Sequence, residues 1–218
     1  MNEVTARVID TIRRNRISST EVADCLGKTG AVTGVAALNP GHFQVGPVQW
    51  IYAYDESNWA VHEQLRDTRE GHIILVEAFD CGERAIFGEL VAKFVLLYRQ
   101  AAAIVVQGRL RDVPRLRKEN WPVWYEGPTP IGCFNRKHET PFPADVLAER
   151  RARYEGAVAV CDDSGVVVIP PDVASDPAFI EKLNWIEQQE DLWFDCIDGK
   201  KWDTFETVCL KRYRENAE

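Results

Sequence analysis

Two neighbouring residues of opposite charge, Arg111 and Asp112, follow an aliphatic run, Ala102-Ala103-Ile104-Val105-Val106, and a short stretch containing Gly108. A guanidinium can fork onto a carboxylate, and an aspartate can hold a hard divalent cation. Loops at strand ends are where rigid scaffolds usually carry their chemistry. Upstream, Gly88-Glu89-Leu90 places a small residue and a carboxylate ahead of an apolar segment, Leu90 to Tyr98. The acid in that first turn suits the helix dipole, which is also its purely structural explanation. Spacing alone leaves a surface ion pair at Arg111–Asp112 as an equal alternative to a site.

The elements that must position these residues follow from periodicity. Residues 2–15 read as a helix with Val4, Val8, Ile9 and Ile12 on one face, and Ser18 and Glu21 form a capping box for a second helix that stops at Gly27. Val45 to Tyr54 is rich in β-branched and aromatic residues and reads as a strand. Residues 58–68 read as a helix, and Ile73 to Val76 as a buried strand after the Glu70-Gly71-His72 turn. Phe79 to Ala85 reads as an irregular loop, Leu90 to Tyr98 as a helix and Ala102 to Val106 as a strand. A short helix is expected from Val113, a strand over Trp121 to Tyr125 and a rigid turn from Gly127 to Gly132. Pro143 to Arg153 is a helix candidate, residues 157–170 a hairpin turning at Asp162-Asp163-Ser164-Gly165, and Pro177 to Asp191 a helix. Beyond it, Trp193, Phe194, Trp202 and Phe205 give the end of the chain an aromatic stripe that suits packing on a neighbour.

Composition narrows the classes. With 218 residues the chain can bury a sizeable core. A net charge of -8 disfavours general nucleic-acid binding, which needs clustered Lys and Arg. No window approaches the ~20 apolar residues of a membrane span, and Met1-Asn2-Glu3 lacks a signal-peptide profile, so a cytoplasmic location is expected. The six cysteines include no C-x-x-C pair, which fits reduced thiols better than a disulfide framework or a zinc cage.

Gly88-Glu89-Leu90-Val91-Ala92 and Gly108-Arg109-Leu110-Arg111-Asp112 resemble the RraA-like family, which includes regulators of ribonuclease E activity and divalent-metal 4-hydroxy-4-methyl-2-oxoglutarate aldolases. Thr20 to Gly27, Asn58 with His62, Glu70 to Val76 and Ala157 to Pro170 extend the resemblance over about residues 17–171. Two departures stand out. The span from Leu90 to Leu110 is one residue longer than the family's, and Gln107 replaces an aspartate. Residues 133–150 also leave the common pattern, as a substrate-specific element or a solvated loop.

The resemblance implies an α/β fold, a swivelling β/β/α sandwich over residues 1–171, with a C-terminal helical extension over 172–218 packing on a neighbouring subunit. It implies a homo-oligomer, trimer or hexamer, with sites between subunits. It further implies a carbon–carbon lyase acting on a 2-oxo acid with Mg²⁺ or Mn²⁺. In that reading Asp112 anchors the metal, Glu89 holds metal-bound water, and Arg111 forks onto the carboxylate. Gly88 and Leu90 line the substrate, and Glu187 or Glu190 reaches the site from a neighbouring subunit. The rival is a regulator that binds an RNA-degradation enzyme; its namesake type lacks the Arg-Asp pair, which this chain keeps. A third reading is a member with altered chemistry.

Overall fold

The computed structural model describes residues 1–214. Its first helix, α1 (Glu3–Asn15), is capped by the Asn2 side chain, which accepts the Thr5 amide at 2.7 Å. The second, α2 (Ser19–Cys25), opens on the expected capping box: Glu21 N–H donates to Ser18 Oγ at 3.2 Å and Ser18 N–H to Glu21 Oε2 at 2.6 Å. These reciprocal bonds satisfy amides that a helix start leaves orphaned.

The sheet contains eight strands: β1 (Ala36–Ala37), β2 (Gln44–Tyr54), β3 (Ile73–Phe79), β4 (Ala85–Phe87), β5 (Ala103–Leu110), β6 (Val123–Pro128), β7 (Val158–Asp162) and β8 (Gly165–Ile169). They run in the order β1-β6-β5-β3-β2-β7-β8, and β4 pairs β5 off that path. Strands β2, β3, β5 and β6 are mutually parallel, whereas the β7–β8 hairpin joins antiparallel to the first residues of β2. The long β2 therefore serves two sheet segments: Gln44–Pro47 pairs β7, and Val48–Tyr54 pairs β3.

Parallel neighbours require crossovers, and three helices supply them on one face. These are α3 (Trp59–Gln64), α4 (Glu89–Lys93, continuing as a wider π turn over Phe94–Tyr98) and α5 (Val113–Lys118). Alternation along each strand sends Ile51, Ile74, Val76, Ile104 and Val106 toward them, into a core shared with Val61, Val91 and Leu116. The opposite face, with Ile73, Leu75, Val105 and Trp124, packs on Ala159, Cys161, Val166 and Val168 of the hairpin. The hairpin's outer face, Val158, Val160, Val167 and Ile169, is covered by α1 and α2 and by Phe179 and Leu183 of the C-terminal helix. The layers are thus helix, sheet, sheet and helix, an α/β sandwich with its β/β/α centre as expected.

Three further α-helices lie among the described residues: α6 (Ala144–Tyr154), the short α7 (Pro171–Ala174) and α8 (Ala178–Phe194). Insert helix α6 is pinned to the sheet through Glu77. This carboxylate accepts Trp50 Nε1–H at 2.8 Å and Arg150 Nε–H at 2.9 Å, with Tyr154 Oη at 3.4 Å. Beyond α8, Phe205, Val208 and Leu210 stay exposed, as do Trp185 and Phe194 on α8.

Four local expectations are corrected. The aliphatic strand does not stop at Val106, since β5 runs on to Leu110 and makes Gly108 a strand residue. Ala85–Phe87, inside and after the expected loop, is a strand, and β6 runs past Tyr125 to Pro128. The apolar segment 90–98 is helical but widens to a π turn after Lys93.

Candidate active site

The site begins with an irregularity in β5. Pairing between β5 and β6 shifts register between Val106 and Arg109, where Gly108 sits against Ala78 and Ile86. Such a shift re-aims the residues that follow. Arg111 N–H then donates to the Phe87 carbonyl at 3.1 Å, which ties the strand's end to β4. Asp112 adopts the left-handed conformation (φ 59°), and its carbonyl accepts the amides of Arg115 and Leu116 at the start of α5. Aspartate is among the few non-glycine residues that visit this region readily.

The Asp112 side chain folds back on the start of α4. Its Oδ2 accepts Glu89 N–H at 3.2 Å and lies 3.8 Å from Arg111 Nε. Gly88 makes the approach possible: a Cβ there would lie 2.1 Å from Asp112 Oδ2 and 2.9 Å from Arg111 Cγ. Gly132 does the same for the guanidinium, because its Cβ would sit 2.7 Å from Arg111 Nη1. Two glycines thus wall a space that the Arg-Asp pair occupies.

That space continues as a cavity of about 160 Å³ lined by Gly88, Leu90, Arg111 and Asp112 together with Asn58, His62, Cys133 and Asn135. Asn58 is buried; its Nδ2 donates to the Ile86 carbonyl at 2.8 Å and its Oδ1 accepts from Asn135 Nδ2 at 2.9 Å. Burial lowers the pKa of His62, favouring the neutral imidazole. The Cys133 thiol is made more acidic by a hydrogen bond from Cys81, and the Arg84 and Arg111 guanidinium groups add to this against the cost of burial. Cys81 is pushed up by the same bond and by its own burial.

Four of the expected site residues therefore meet in one place: Gly88, Leu90, Arg111 and Asp112. Glu89 lies beside them at the first residue of α4 and contributes its backbone amide to Asp112. Glu190 lies on α8 near Glu21 and Asp24 of α2, where burial and those carboxylates raise its pKa; it is not among the cavity's lining residues. Glu187 accepts Asn15 Nδ2–H at 2.8 Å. Asn135 and Cys133 were not singled out by sequence reasoning, which treated residues 133–150 as one block. Nothing in their spacing reveals that β4 and its neighbours bring them against Arg111.

The family resemblance implies a divalent metal. Among the described residues, no three His, Cys, Asp or Glu side chains gather to hold a metal ion. The carboxylate of Asp112 is 44% exposed, and its contacts engage Oδ2. A carboxylate with a free oxygen facing solvent, and Glu89 next to it, fits a hard cation that keeps most of its waters.

The chain is similar to known proteins over most of its length. The family model RraA-like (Aldolase/RraA) matches residues 5–168. A Halalkalibacterium halodurans protein provisionally named 4-hydroxy-4-methyl-2-oxoglutarate aldolase is 29% identical over 164 residues, 74% of this chain and 77% of that protein. Among solved structures, an uncharacterized Pseudomonas syringae protein superposes with a TM-score of 0.71 at 21% identity, covering 94% of each chain. Streptomyces coelicolor RraAS2, described as an unusual member of the RNase ES inhibitor RraA protein family, gives 0.67 at 24% identity over 85% of this chain and 94% of its own. No helix among the described residues is long and apolar enough to cross a membrane. On the match across three quarters of its length, this chain belongs to the RraA-like (Aldolase/RraA) family.

Proposed function

We propose that this protein is a carbon–carbon lyase acting on a small 2-oxo acid, a 4-hydroxy-2-oxo dicarboxylate or oxaloacetate. The observation that carries the reading is the glycine-walled apposition of Arg111 and Asp112 at the head of one small cavity. Arg111 forks onto the substrate carboxylate and offsets the negative charge that develops as the carbon–carbon bond breaks. Asp112 would hold Mg²⁺ or Mn²⁺ with Glu89 beside it, and the bound cation would supply Lewis acidity. The amides that open α4 are not used by the helix itself, and Glu89's orients Asp112. Neutral His62 and the Asn58 amide also line the cavity, without adding charge.

The proposal extends to assembly. Leu90, Phe94, Leu97 and Tyr98 form an exposed apolar strip along α4 and its π turn, beginning at the cavity's edge. A second copy of this chain covering that strip would exclude water from the site, and Glu187 or Glu190 of that copy would then be available to it. The regulatory alternative uses neither the Arg-Asp pair nor the cavity.

Pyruvate release from a panel of 4-hydroxy-2-oxo acids and from oxaloacetate, with and without Mg²⁺, tests the reading. Mg²⁺-dependent release from at least one acid is expected. No release from any of them would pass the argument to a binding role.

A further inference from the structure

The residues that leave the family pattern, 133–150, enter the candidate site at one point. After Cys133, the chain forms a strap over Phe134 to His138 against the loop that ends β2. Phe134 N–H donates to the Glu56 carbonyl at 2.8 Å, and Asn58 N–H donates to the Phe134 carbonyl at 3.1 Å. Ser57 Oγ lies 2.7 Å from the Arg136 carbonyl, and His138 Nδ1 lies 3.0 Å from Asp55 Oδ2. The Phe134 ring is held between two guanidinium groups, with Arg84 at 4.2 Å and Arg136 at 4.9 Å. Bonds on both sides of Asn135 fix its backbone, so its amide reaches the cavity from a rigid mount.

The orientation of that amide is also fixed. The Ile86 carbonyl can only accept, so Asn58 must present its Nδ2 there and its Oδ1 to Asn135. Asn135 must then donate through Nδ2, which leaves its Oδ1 as the uncommitted acceptor beside one remaining N–H. A group that both donates and accepts, such as a hydroxyl, satisfies such an edge; a carboxylate or a ketone can only accept. Arg111, which lines the same cavity, is the group proposed above for the carboxylate.

We infer that Asn135 is a specificity-determining residue that reads a hydroxyl on the substrate, so that the site prefers 4-hydroxy-2-oxo acids to 2-oxo acids of the same skeleton without the hydroxyl. The inference rests on the lyase reading above. Residues 133–138 then act as a substrate-reading strap, tied to the rest of the site through Asn58.

The test uses one assay and a matched pair of acids. Pyruvate release from 4-hydroxy-2-oxoglutarate gives kcat/KM, and 2-oxoglutarate, which lacks the hydroxyl, is titrated in as a competitive inhibitor. Asn135→Ala should lower kcat/KM for the hydroxy acid by up to about tenfold, the worth of one hydrogen bond, and shift the inhibition constant of 2-oxoglutarate by less than about twofold. Asn135→Ser, which keeps a hydroxyl, should recover part of the loss. Equal losses toward both acids, or no loss toward either, would overturn the role of Asn135 while leaving the lyase reading intact. No pyruvate release by the wild-type protein would overturn the lyase reading, and this inference with it. Asn135 is exposed, but its loss leaves the buried Asn58 Oδ1 without its donor, so a modest fall in melting temperature is expected, and a cooperative unfolding transition well above the assay temperature verifies that the alanine variant is folded.

Discussion

Gly88→Ala is the sharpest perturbation of the proposed site. The added methyl would stand 2.1 Å from Asp112 Oδ2 and 2.9 Å from Arg111 Cγ. A real contact needs about 3.2 Å, so the carboxylate must retreat by roughly 1 Å. The backbone itself does not forbid alanine, because Gly88 has φ −144°. The colliding atoms belong to side chains that are 52% and 44% exposed and free to swing, so the fold should lose no more than about 1 kcal/mol. Catalysis is less forgiving, since a 1 Å misplacement of a reacting group costs on the order of 10²-fold. Gly88→Ala should therefore lower kcat/KM for pyruvate release by about 10²-fold while the urea midpoint barely moves. A variant that keeps near wild-type activity would show that the position of Asp112 does not matter to the reaction. A variant that loses several kcal/mol of stability would show that the glycine serves packing instead.

Three other outcomes follow from the same geometry. Arg150→Met should strand the largely buried Glu77 carboxylate and cost about 2 kcal/mol in urea unfolding; a cost below 0.5 kcal/mol would mean that α6 is held by its apolar contacts alone. Burial lowers the folded-state pKa of His62 below the ordinary 6.5, so the unfolded chain binds that proton more readily. The stability from this residue is complete above pH 6.5 and declines as pH falls below it; His62→Gln should flatten that part of the stability curve, and an unchanged curve would refute the assignment. Light scattering at micromolar concentration should return a multiple of 24.8 kDa, and a monomer mass would contradict the proposed cover over Leu90, Phe94, Leu97 and Tyr98.

The architecture was legible where local chemistry is decisive. The Ser18–Glu21 capping box, the aliphatic run of β5 and the Asp162–Gly165 hairpin turn each encode their own structure, and all three appear as expected. Arg111 and Asp112 were legible as a pair because strand ends carry function, although the strand leading to them proved longer than its aliphatic run. β4 was hidden because Ala85-Ile86-Phe87 is only three residues long, and it is a strand only because β5 lies beside it. Asn135 was hidden for a related reason. Its neighbours in space, Asn58 and the Arg111 cavity, are contributed by segments far away in sequence, and no periodicity links a strap to the loop that holds it.

The central claim is that Arg111 holds a substrate carboxylate, and Arg111→Lys tests it most directly. Lysine keeps the positive charge but lacks the planar fork that meets both carboxylate oxygens at once. The measurement is Mg²⁺-dependent pyruvate release from the best 4-hydroxy-2-oxo acid by the wild-type and lysine proteins, with melting temperatures recorded alongside. The account predicts a loss of about 10²-fold in kcat/KM at unchanged stability. Near wild-type turnover by the lysine variant would contradict it and reduce Arg111 to a surface partner of Asp112.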